Sequence, residues 1–229
     1  MGENDFGERQ RIGCLKKYEE EVWGQGFQNI AGIDEVGRGS LAGPVVAAAV
    51  VLPRKAFIAG VNDSKKLSSD KRKKLVDEIK KQSISWAVAA VNPPYLDQIN
   101  ILNATREAMQ MAVAALNPQP NFLLIDALKL PSINIRQQAI IKGDSLSFSI
   151  ACASILAKVE RDASMEFLNL VHPGYGFDKH KGYATREHIQ ALMLKGPCSI
   201  HRYSFQPIKS IIAGGIYGRQ PSLFDDFEA

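Results

Sequence analysis

Cysteine is scarce in this sequence and long apolar segments are absent, and both shortages narrow the class of protein. Three cysteines among 229 residues, Cys14, Cys152 and Cys198, lie far apart and form no CxxC pair. This pattern argues against a zinc site and a disulfide framework, and it fits a reducing cytosol. The longest apolar run, residues 44–53, is shorter than the roughly 20 residues of a membrane-spanning helix. Residues 1–11 lack the apolar core of a signal peptide, so we expect a cytoplasmic protein without membrane contact. We also expect a monomer.

Hydrophobic residues make up 45% of the chain, which is enough for a folded core and excludes wholesale disorder. The net charge of +4 is unevenly spread, because residues 63–81 hold eight Lys or Arg against four acids while residues 219–229 carry a net −2. A modest basic excess with a local cluster is compatible with nucleic acid as a partner. Many soluble enzymes share it, so the charge alone does not decide the function.

Apolar segments alternate with amphipathic ones, which predicts an α/β domain with a mixed sheet. Predicted strands cover residues 29–34, 44–52, 85–91, 121–126 and 139–144, and predicted helices cover 8–27, 68–81, 103–116, 149–171 and 185–194. If the first three strands form an antiparallel meander, the crossover helix 103–116 places the fourth strand parallel to the first. The acids that end these two strands would then be neighbours at one edge of the sheet.

Three apolar segments end in carboxylates, at Asp34 with Glu35, at Asp126 and at Asp144. All-oxygen ligands without nearby His or Cys favour Mg²⁺ or Mn²⁺ over zinc, and a carboxylate cluster that holds two such ions serves phosphodiester hydrolysis. A lone acid after a strand is more often a turn or cap residue, but three such acids, one of them doubled, favour a metal site. Strand alternation puts Asp34 and Glu35 on opposite faces, so Asp34 is the stronger bridging ligand.

Several ordered motifs carry a family resemblance from about residue 18 to residue 208. They are GIDEVGRG at 32–39, LAGPVVA at 41–47, DSKKL at 63–67, KGD at 142–144, ASILAKV at 153–159 with RD at 161–162, HKGY at 180–183, and HR at 201–202 followed by SF at 204–205. Together they resemble the bacterial type 2 ribonucleases H, the ribonuclease HII family.

The resemblance implies a ribonuclease H-like fold, with a mixed five-stranded sheet flanked by helices and a small helical C-terminal part. It implies an endonuclease that hydrolyses the RNA strand of RNA–DNA hybrids and cuts 5′ to ribonucleotides embedded in duplex DNA. The products are a 3′-hydroxyl and a 5′-phosphate. The four family acids map onto Asp34, Glu35, Asp126 and Asp144, which would be both catalytic residues and ligands of Mg²⁺ or Mn²⁺.

The resemblance also implies how the substrate is recognised. The family's Gly-Arg-Gly falls on Gly37, Arg38 and Gly39, whose backbone groups contact the ribose 2′-hydroxyl, and its hybrid-sensing tyrosine falls on Tyr183. The 2′-hydroxyl both donates and accepts hydrogen bonds and is what distinguishes RNA from DNA at a given position. Glycine often follows the third acid in the family, whereas this chain has Ala127, for which we expect an ordinary backbone conformation.

The remaining polar residues have weaker assignments. Lys65 and Lys66 either grip substrate phosphates or form part of a solvated charged face. The four histidines show no zinc-ligand spacing with the cysteines, and we expect surface or structural roles for them; they are His172, His180, His188 and His201. For His180 the alternative is a position near the substrate, through its neighbour Tyr183.

The expected division of the chain has four parts. These are an N-terminal helical segment at 1–27, a ribonuclease H-like catalytic domain at 28–170, a C-terminal helical substrate-binding part at 171–213, and a flexible tail at 214–229. Within the tail, Gln220, Leu223 and Phe224 resemble the short peptide with which bacterial replication and repair enzymes bind the DNA sliding clamp. The alternative is that Leu223 and Phe224 dock on the core of this protein.

Two rival functions are open to the sequence. One is a DNA-directed nuclease of the same fold, against which the Gly-Arg-Gly turn and Tyr183 argue. The other is a catalytically silent module that binds hybrids or docks on the clamp, and the presence of all four acids argues against it.

Overall fold

The computed structural model describes residues 3–215, and within them the central element is a mixed five-stranded sheet. Its strands are β1 Ile30–Val36, β2 Val45–Val51, β3 Ser85–Val91, β4 Phe122–Asp126 and β5 Arg136–Ile140. Their order in the sheet is β3-β2-β1-β4-β5. Strand β1 runs antiparallel to β2 and parallel to β4, and β4 runs parallel to β5. This confirms the predicted fold class and the predicted parallel pairing of the first and fourth strands.

Helices and strands do not alternate regularly along the chain. They are α1 Glu3–Leu15, α2 Lys17–Gly24, α3 Ser69–Gln82, α4 Pro93–Ile99, α5 Ile101–Ala114, α6 Gly143–Leu146, α7 Phe148–Val171, α8 Phe177–His180, α9 Arg186–Lys195 and α10 Ile208–Gly214. Within the part of the chain that the structure describes, none has the length and apolarity needed to cross a membrane.

The structure departs from the predicted elements at residues 8–27, at residues 93–99 and at residues 139–144, where β5 ends at Ile140 and α6 begins at Gly143. The single helix predicted over 8–27 is two helices, α1 and α2, separated at Lys16, whose ammonium donates hydrogen bonds to the carbonyls of Arg54 and Ala56. Helix α4 has no predicted counterpart, because Pro93 and Pro94 are typical of a strand end. Proline is equally suited to the first turn of a helix, where its missing N–H has no partner to lose.

The chain divides into two compact units. Of the described residues, unit 1 contains residues 3–36, Val46–Ala90 and Thr105–Glu160, and unit 2 contains Gly37–Val45, Val91–Ala104 and residues 161–215. The four-part division expected from the sequence stays a prediction.

The core of unit 1 is built on β2, all of whose residues are apolar and buried. Helix α3 packs Leu75 and Ile79 into this core, and α7 contributes Ile155 and Leu156. Each such side chain stabilises the fold by about 1.5–3 kcal/mol through burial of apolar surface. The sheet is therefore a rigid support for the residues at its edge.

Gly32 brings the beginning of α7 directly against β1. A Cβ atom added at Gly32 would lie 2.2 Å from the carbonyl carbon of Ser149 and 2.5 Å from the nitrogen of Ile150. No side chain fits between the helix and the strand at this point, so only glycine allows this approach. The first turns of α7 are thus held next to the strand that carries Asp34.

Unit 2 is organised around residues 37–45. The nitrogen of Leu41 donates to the carbonyl of Gly182 at 2.8 Å, and the nitrogen of Gly43 donates to that of Ile200 at 2.9 Å. An isolated antiparallel bridge joins Ala42 to residue 201. The segment that follows β1 in sequence is therefore fixed by main-chain hydrogen bonds to two later parts of unit 2.

Candidate active site

The register of the sheet places two of the predicted acids side by side in unit 1. Ile33 of β1 pairs with Ile125 of β4, and the next residue in each parallel strand is Asp34 and Asp126, respectively. The acids of β1 do not follow the end of the strand as expected, because β1 continues to Val36 through its antiparallel pairing with β2. Asp34 and Glu35 therefore extend beyond the β4 pairing while still held in the sheet.

Asp34 is buried, with 4% of its surface exposed, and its surroundings favour the protonated form. Burial raises the pKa of Asp34 well above its usual 3.8, and the negative charges of Glu35 and Asp126 raise it further. A hydrogen bond from the Ser154 side chain and one from the Glu35 nitrogen, at 2.7 Å, partly oppose this shift in pKa. These two hydrogen bonds thus hold the carboxylate in place, but they do not fully offset the free-energy cost of its charged form.

Two serines that the sequence prediction did not assign support Asp34. Ser154 of α7 hydrogen-bonds Asp34, and its Oγ lies 3.0 Å from Oγ of Ser64, both serines being buried. Ser64 begins a short 3-10 turn, Ser64–Lys66, that Asp63 caps by accepting from the nitrogen of Lys65. The signal was present in sequence, since both serines lie inside the DSKKL and ASILAKV motifs.

Asp126 positions the fourth acid through the main chain. Its Oδ1 accepts a hydrogen bond of 2.7 Å from the nitrogen of Gly143, the residue before Asp144. Asp144 is not at the end of a strand as predicted. Strand β5 ends at Ile140, Lys142 adopts a left-handed conformation with φ 59°, and Asp144 lies in the first turn of α6. The helical turn of α6 therefore keeps this carboxylate near the sheet edge, whereas a continued strand would have carried it past that edge.

Ala127 departs from the expected ordinary backbone. Its φ is +52°, in the left-handed region that residues other than glycine and asparagine rarely adopt. The cause is a tight turn immediately after β4, in which the nitrogen of Leu128 donates to the carbonyl of Asp126 at 2.7 Å. The nitrogen of Ala127 also donates to the carbonyl of Ile140 at 3.0 Å, which fixes the turn to β5.

Lys65 is the cation nearest to Asp144 among the described ion pairs. Its Nζ lies 3.4 Å from Oδ2 of Asp144, and its side chain is 81% exposed. Partial burial lowers the pKa of Lys65, but the charges of Asp144, Asp63 and Asp34 outweigh burial and raise the pKa overall. Lys66 is exposed.

The acids fit a hard divalent cation by their chemistry. Within residues 3–215 no three His, Cys, Asp or Glu side chains form a ready-made metal-binding group. The neighbouring carboxylates nevertheless raise the proton affinity of Asp34, and a bound cation relieves the same repulsion that a proton relieves. Oxygen donors are the ligands that Mg²⁺ and Mn²⁺ prefer.

The Gly-Arg-Gly turn lies in unit 2. Gly37 has a φ of +91°, and a Cβ atom there would lie 2.2 Å from Nε of Arg161. Both the conformation and the lack of space therefore require glycine at this position. Arg38 and Gly39 are exposed, so the tip of the turn is accessible to a ligand.

Tyr183, also in unit 2, has a fixed backbone and an accessible ring. Its nitrogen donates to the carbonyl of His180 at 3.0 Å, and its carbonyl oxygen lies 2.9 Å from Nδ1 of His188. The side chain is exposed, and the centre of the Arg161 guanidinium lies 5.5 Å from its ring centroid.

Two buried histidines form a directional hydrogen-bond chain behind Tyr183. Nδ1 of His188 faces the Tyr183 carbonyl and must carry a proton, so its Nε2 accepts from Nε2 of His201 at 3.1 Å. Nδ1 of His201 then accepts from the nitrogen of Cys198 at 2.9 Å. Burial lowers the pKa of His188 to about 4 and that of His201 to about 3, so both are neutral. Of the surface or structural roles expected for the histidines, the burial and hydrogen bonds of these two fit the structural one.

The predicted clamp-binding residues Gln220, Leu223 and Phe224 lie outside the described residues.

A sheet of order β3-β2-β1-β4-β5 with acids on adjacent parallel strands defines the class as ribonuclease H-like. The ribonuclease H2 of Pyrococcus horikoshii OT3 has the same fold, with a TM-score of 0.70 and 24% identity over 81% of this chain and 98% of that one. The structure of the PCNA:RNase HII complex from Archaeoglobus fulgidus matches with a TM-score of 0.59 and 29% identity, covering 84% of this chain and 90% of that one.

The particular family follows from the sequence comparisons. The model of the family described as Ribonuclease HII matches residues 31–208. A ribonuclease HII from Syntrophomonas wolfei is 63% identical over 218 residues, which cover 95% of this chain and 86% of that protein. The chain belongs to the ribonuclease HII family. It is a ribonuclease H, an endonuclease that acts on the RNA strand of RNA–DNA hybrids, in a family that depends on divalent metal ions.

Proposed function

We propose that the enzyme cuts on the 5′ side of ribonucleotides, including single ones embedded in duplex DNA, and that Asp34, Glu35, Asp126 and Asp144 are its catalytic acids. The observation that carries this proposal is the juxtaposition of Asp34 and Asp126 on parallel strands, with a raised pKa at the buried Asp34. Carboxyl groups with strongly shifted pKa values are typical of active sites.

The same acids are the proposed ligands of Mg²⁺ or Mn²⁺, with Asp34 and Asp126 central and Glu35 and Asp144 beside them. The chemistry that two such ions supply when bound is activation of the attacking water and stabilisation of the leaving oxygen. The chain supplies the positioning: Ser154 orients Asp34, and the nitrogen of Gly143 orients Asp126.

Recognition of the ribonucleotide is assigned to Gly37, Arg38, Gly39 and Tyr183 of unit 2. A rigid glycine backbone can bond a 2′-hydroxyl without reach by a side chain, and an accessible tyrosine ring can pack on a sugar. Lys65 and Lys66 are proposed phosphate contacts. The pairing of Lys65 with Asp144 gives Lys65 a second role, since it lowers the negative charge that the phosphate meets.

The deciding experiment is Asp126→Asn, assayed on a DNA duplex with one ribonucleotide. Asparagine can still accept a hydrogen bond from the nitrogen of Gly143, so we expect normal folding. We expect cleavage to fall by at least about a hundredfold, because loss of a metal ligand should cost more activity than loss of a residue that only hydrogen-bonds such a ligand. The matched control is Asp178→Asn, an exposed acid of α8, which should cleave at the wild-type rate. Near-wild-type cleavage by Asp126→Asn would refute the assignment.

Two further incubations separate the rival functions. An all-DNA duplex as competitor substrate distinguishes a DNA-directed nuclease, and incubation of a hybrid with Mg²⁺ distinguishes a catalytically silent binding module. We expect cleavage of the ribonucleotide-containing strand alone. We also assign the enzyme to the cytosol, in keeping with its three free cysteines.

For the C-terminal tail we propose binding to the DNA sliding clamp through Gln220, Leu223 and Phe224. The support is the Gln followed three residues later by Leu-Phe, a short apolar anchor that costs little ordering free energy. The test is retention on immobilised clamp by the full chain and by Leu223→Ala/Phe224→Ala, with Ser222→Ala as control. Equal retention of all three would sink the idea.

A further inference from the structure

Two arginine side chains of unit 2 are completely buried, and the proposed reaction gives neither of them a role. Arg161 and Arg202 both have 0% of their surface exposed. Removing a guanidinium from water costs several kcal/mol unless hydrogen bonds and nearby charges compensate it. The hydrogen bonds of these two side chains therefore explain how the fold accommodates their buried charges.

Arg161 donates hydrogen bonds to three main-chain carbonyls. Its Nε donates to Pro44 at 3.0 Å and its Nη2 to Ala42 at 3.2 Å, both in the segment after the Gly-Arg-Gly turn. Its Nη1 donates to Lys181 at 2.9 Å, two residues before Tyr183. One planar group thus joins the turn to the loop that carries the tyrosine.

Arg202 also donates hydrogen bonds to the Gly-Arg-Gly turn and to the segment that follows it. Its Nε and Nη2 both donate to the carbonyl of Gly43, at 3.1 and 2.9 Å, and its Nη1 donates to the carbonyl of Arg38 at 2.9 Å. Burial, then the positive charge of Arg161, lowers the pKa of Arg202 to about 9, which leaves it charged at neutral pH. The central carbonyl of the Gly-Arg-Gly turn is therefore bonded to a buried cation.

Arg161 also explains the first glycine of the turn. Its Nε would lie 2.2 Å from a Cβ atom added at Gly37, so the guanidinium packs on the α-carbon itself. The same guanidinium lies 5.5 Å from the ring centroid of Tyr183. Both proposed recognition elements are thus in direct reach of one side chain.

We propose that Arg161 and Arg202 are positioning residues for ribonucleotide recognition, which hold residues 37–44 and the Tyr183 loop in one fixed geometry. The inference rests on the proposed function, in which this turn and Tyr183 meet the ribose. A main-chain group that hydrogen-bonds a 2′-hydroxyl cannot adjust its position by changing a side-chain rotamer. Its position therefore depends on the hydrogen bonds that fix the carbonyls of the same segment. Lysine cannot replace arginine here, because an ammonium is a point charge and not a planar fork.

The test compares two substrates with the Arg161→Lys and Arg202→Lys variants. A DNA duplex with one ribonucleotide presents a single 2′-hydroxyl and one productive register, whereas a continuous RNA–DNA hybrid offers a 2′-hydroxyl at every position. We expect kcat/KM on the first substrate, divided by kcat/KM on the second, to fall roughly ten- to a hundredfold in each variant, the cost of a displacement of about 1 Å. Partial misfolding lowers both rates equally and leaves this ratio unchanged.

The control arginine is Arg186 of α9, which is exposed, and Arg186→Lys should keep the wild-type ratio. Tyr183→Ala separates the two proposals: if it leaves the ratio unchanged, the recognition role of Tyr183 fails, whatever the arginine variants do. If Tyr183→Ala lowers the ratio and both lysine variants keep it, the positioning role of the arginines is overturned. Should one lysine variant lose cooperative thermal unfolding, the other decides the question alone.

Discussion

The two units hold buried charge in opposite ways. Unit 1 gathers acids, and its buried Asp34 has a pKa raised by burial and by neighbouring carboxylates. Unit 2 buries two cations, Arg161 and Arg202, whose donors are matched by main-chain carbonyls, and it keeps His188 and His201 neutral. The acids of unit 1 therefore have a charge that a cation from solution can satisfy. The buried arginines and histidines of unit 2, in contrast, have hydrogen-bond partners within the chain.

The largest expected effect comes from removing the central charge of unit 1. Asp34→Asn keeps acceptors for Ser154 and for the Glu35 nitrogen but loses a proposed metal ligand. We expect cleavage to fall by at least about a hundredfold and the free energy of unfolding to rise by about 1 kcal/mol, because a neutral amide replaces a buried carboxyl whose charged form is only partly compensated. Urea unfolding and a cleavage assay measure the two effects.

Metal binding adds a readout that does not depend on activity. Mn²⁺ should raise the unfolding midpoint of the wild type, since a ligand that binds only the folded state stabilises it. This increase should shrink in Asp34→Asn and persist in Asp178→Asn. A midpoint increase of equal size in all three proteins would contradict the assignment of Asp34 as a ligand.

Acid should change the stability contributions of the buried histidines of unit 2 and of Asp34 of unit 1 with opposite signs. The pKa values of His188 and His201 are lowered from 6.5 to about 4 and about 3, so the unfolded chain binds protons that the folded protein does not. Their contribution to stability is present at neutral pH and is lost as pH falls from about 6.5 through these values, by roughly 2 kcal/mol per histidine at pH 5. Asp34 has a raised pKa, so its contribution is present below 3.8 and is lost as pH rises through its folded pKa.

Urea unfolding at pH 7 and pH 5 tests the histidine part of this comparison. The loss of stability between the two pH values should shrink in His188→Gln and in His201→Gln. His172→Gln, at a less buried position, should keep the full wild-type loss. An undiminished loss of stability in both His188→Gln and His201→Gln would show that other groups cause the acid sensitivity.

The smallest expected effect concerns the turn after β4. Ala127→Gly removes the strain of a left-handed alanine, and we expect it to stabilise the fold by about 0.5–1 kcal/mol, the conformational penalty less the entropy of a more flexible unfolded chain. Ala59→Gly is the matched control at an exposed position without a positive φ, and it should be neutral or destabilising. Thermal unfolding midpoints distinguish the two. A lower midpoint for Ala127→Gly than for the wild type would contradict the prediction.

Sequence patterns predicted the sheet well because strand chemistry is local. The apolar runs before Asp34 and Asp126 define their strands, and chain connectivity then makes those strands parallel neighbours. Asp144 was harder to place, since a left-handed Lys142 and a short helix follow β5, and nothing in the local pattern favours that turn. The left-handed Ala127 is a case of tertiary context overriding residue preference.

Support for the site was less predictable than the site itself. Arg161 and Arg202 lie in motifs visible in the sequence, but a buried arginine that bonds carbonyls is indistinguishable from a surface arginine by residue type. Only the fold shows that their partners include the carbonyls of Pro44, Gly43 and Lys181.

The parallel pairing of β1 with β4 also sets when the acid cluster can first exist. Asp34 is synthesised early, but its neighbour Asp126 ends β4, and Asp144 follows still later in α6. Pairing between segments so distant in sequence must also close a long intervening loop, which slows folding. A ribosome-bound nascent chain therefore carries two of the four proposed acids until residue 126 has been added and three of them until residue 144 has been added, so the complete set exists only after the first 144 of the 229 residues.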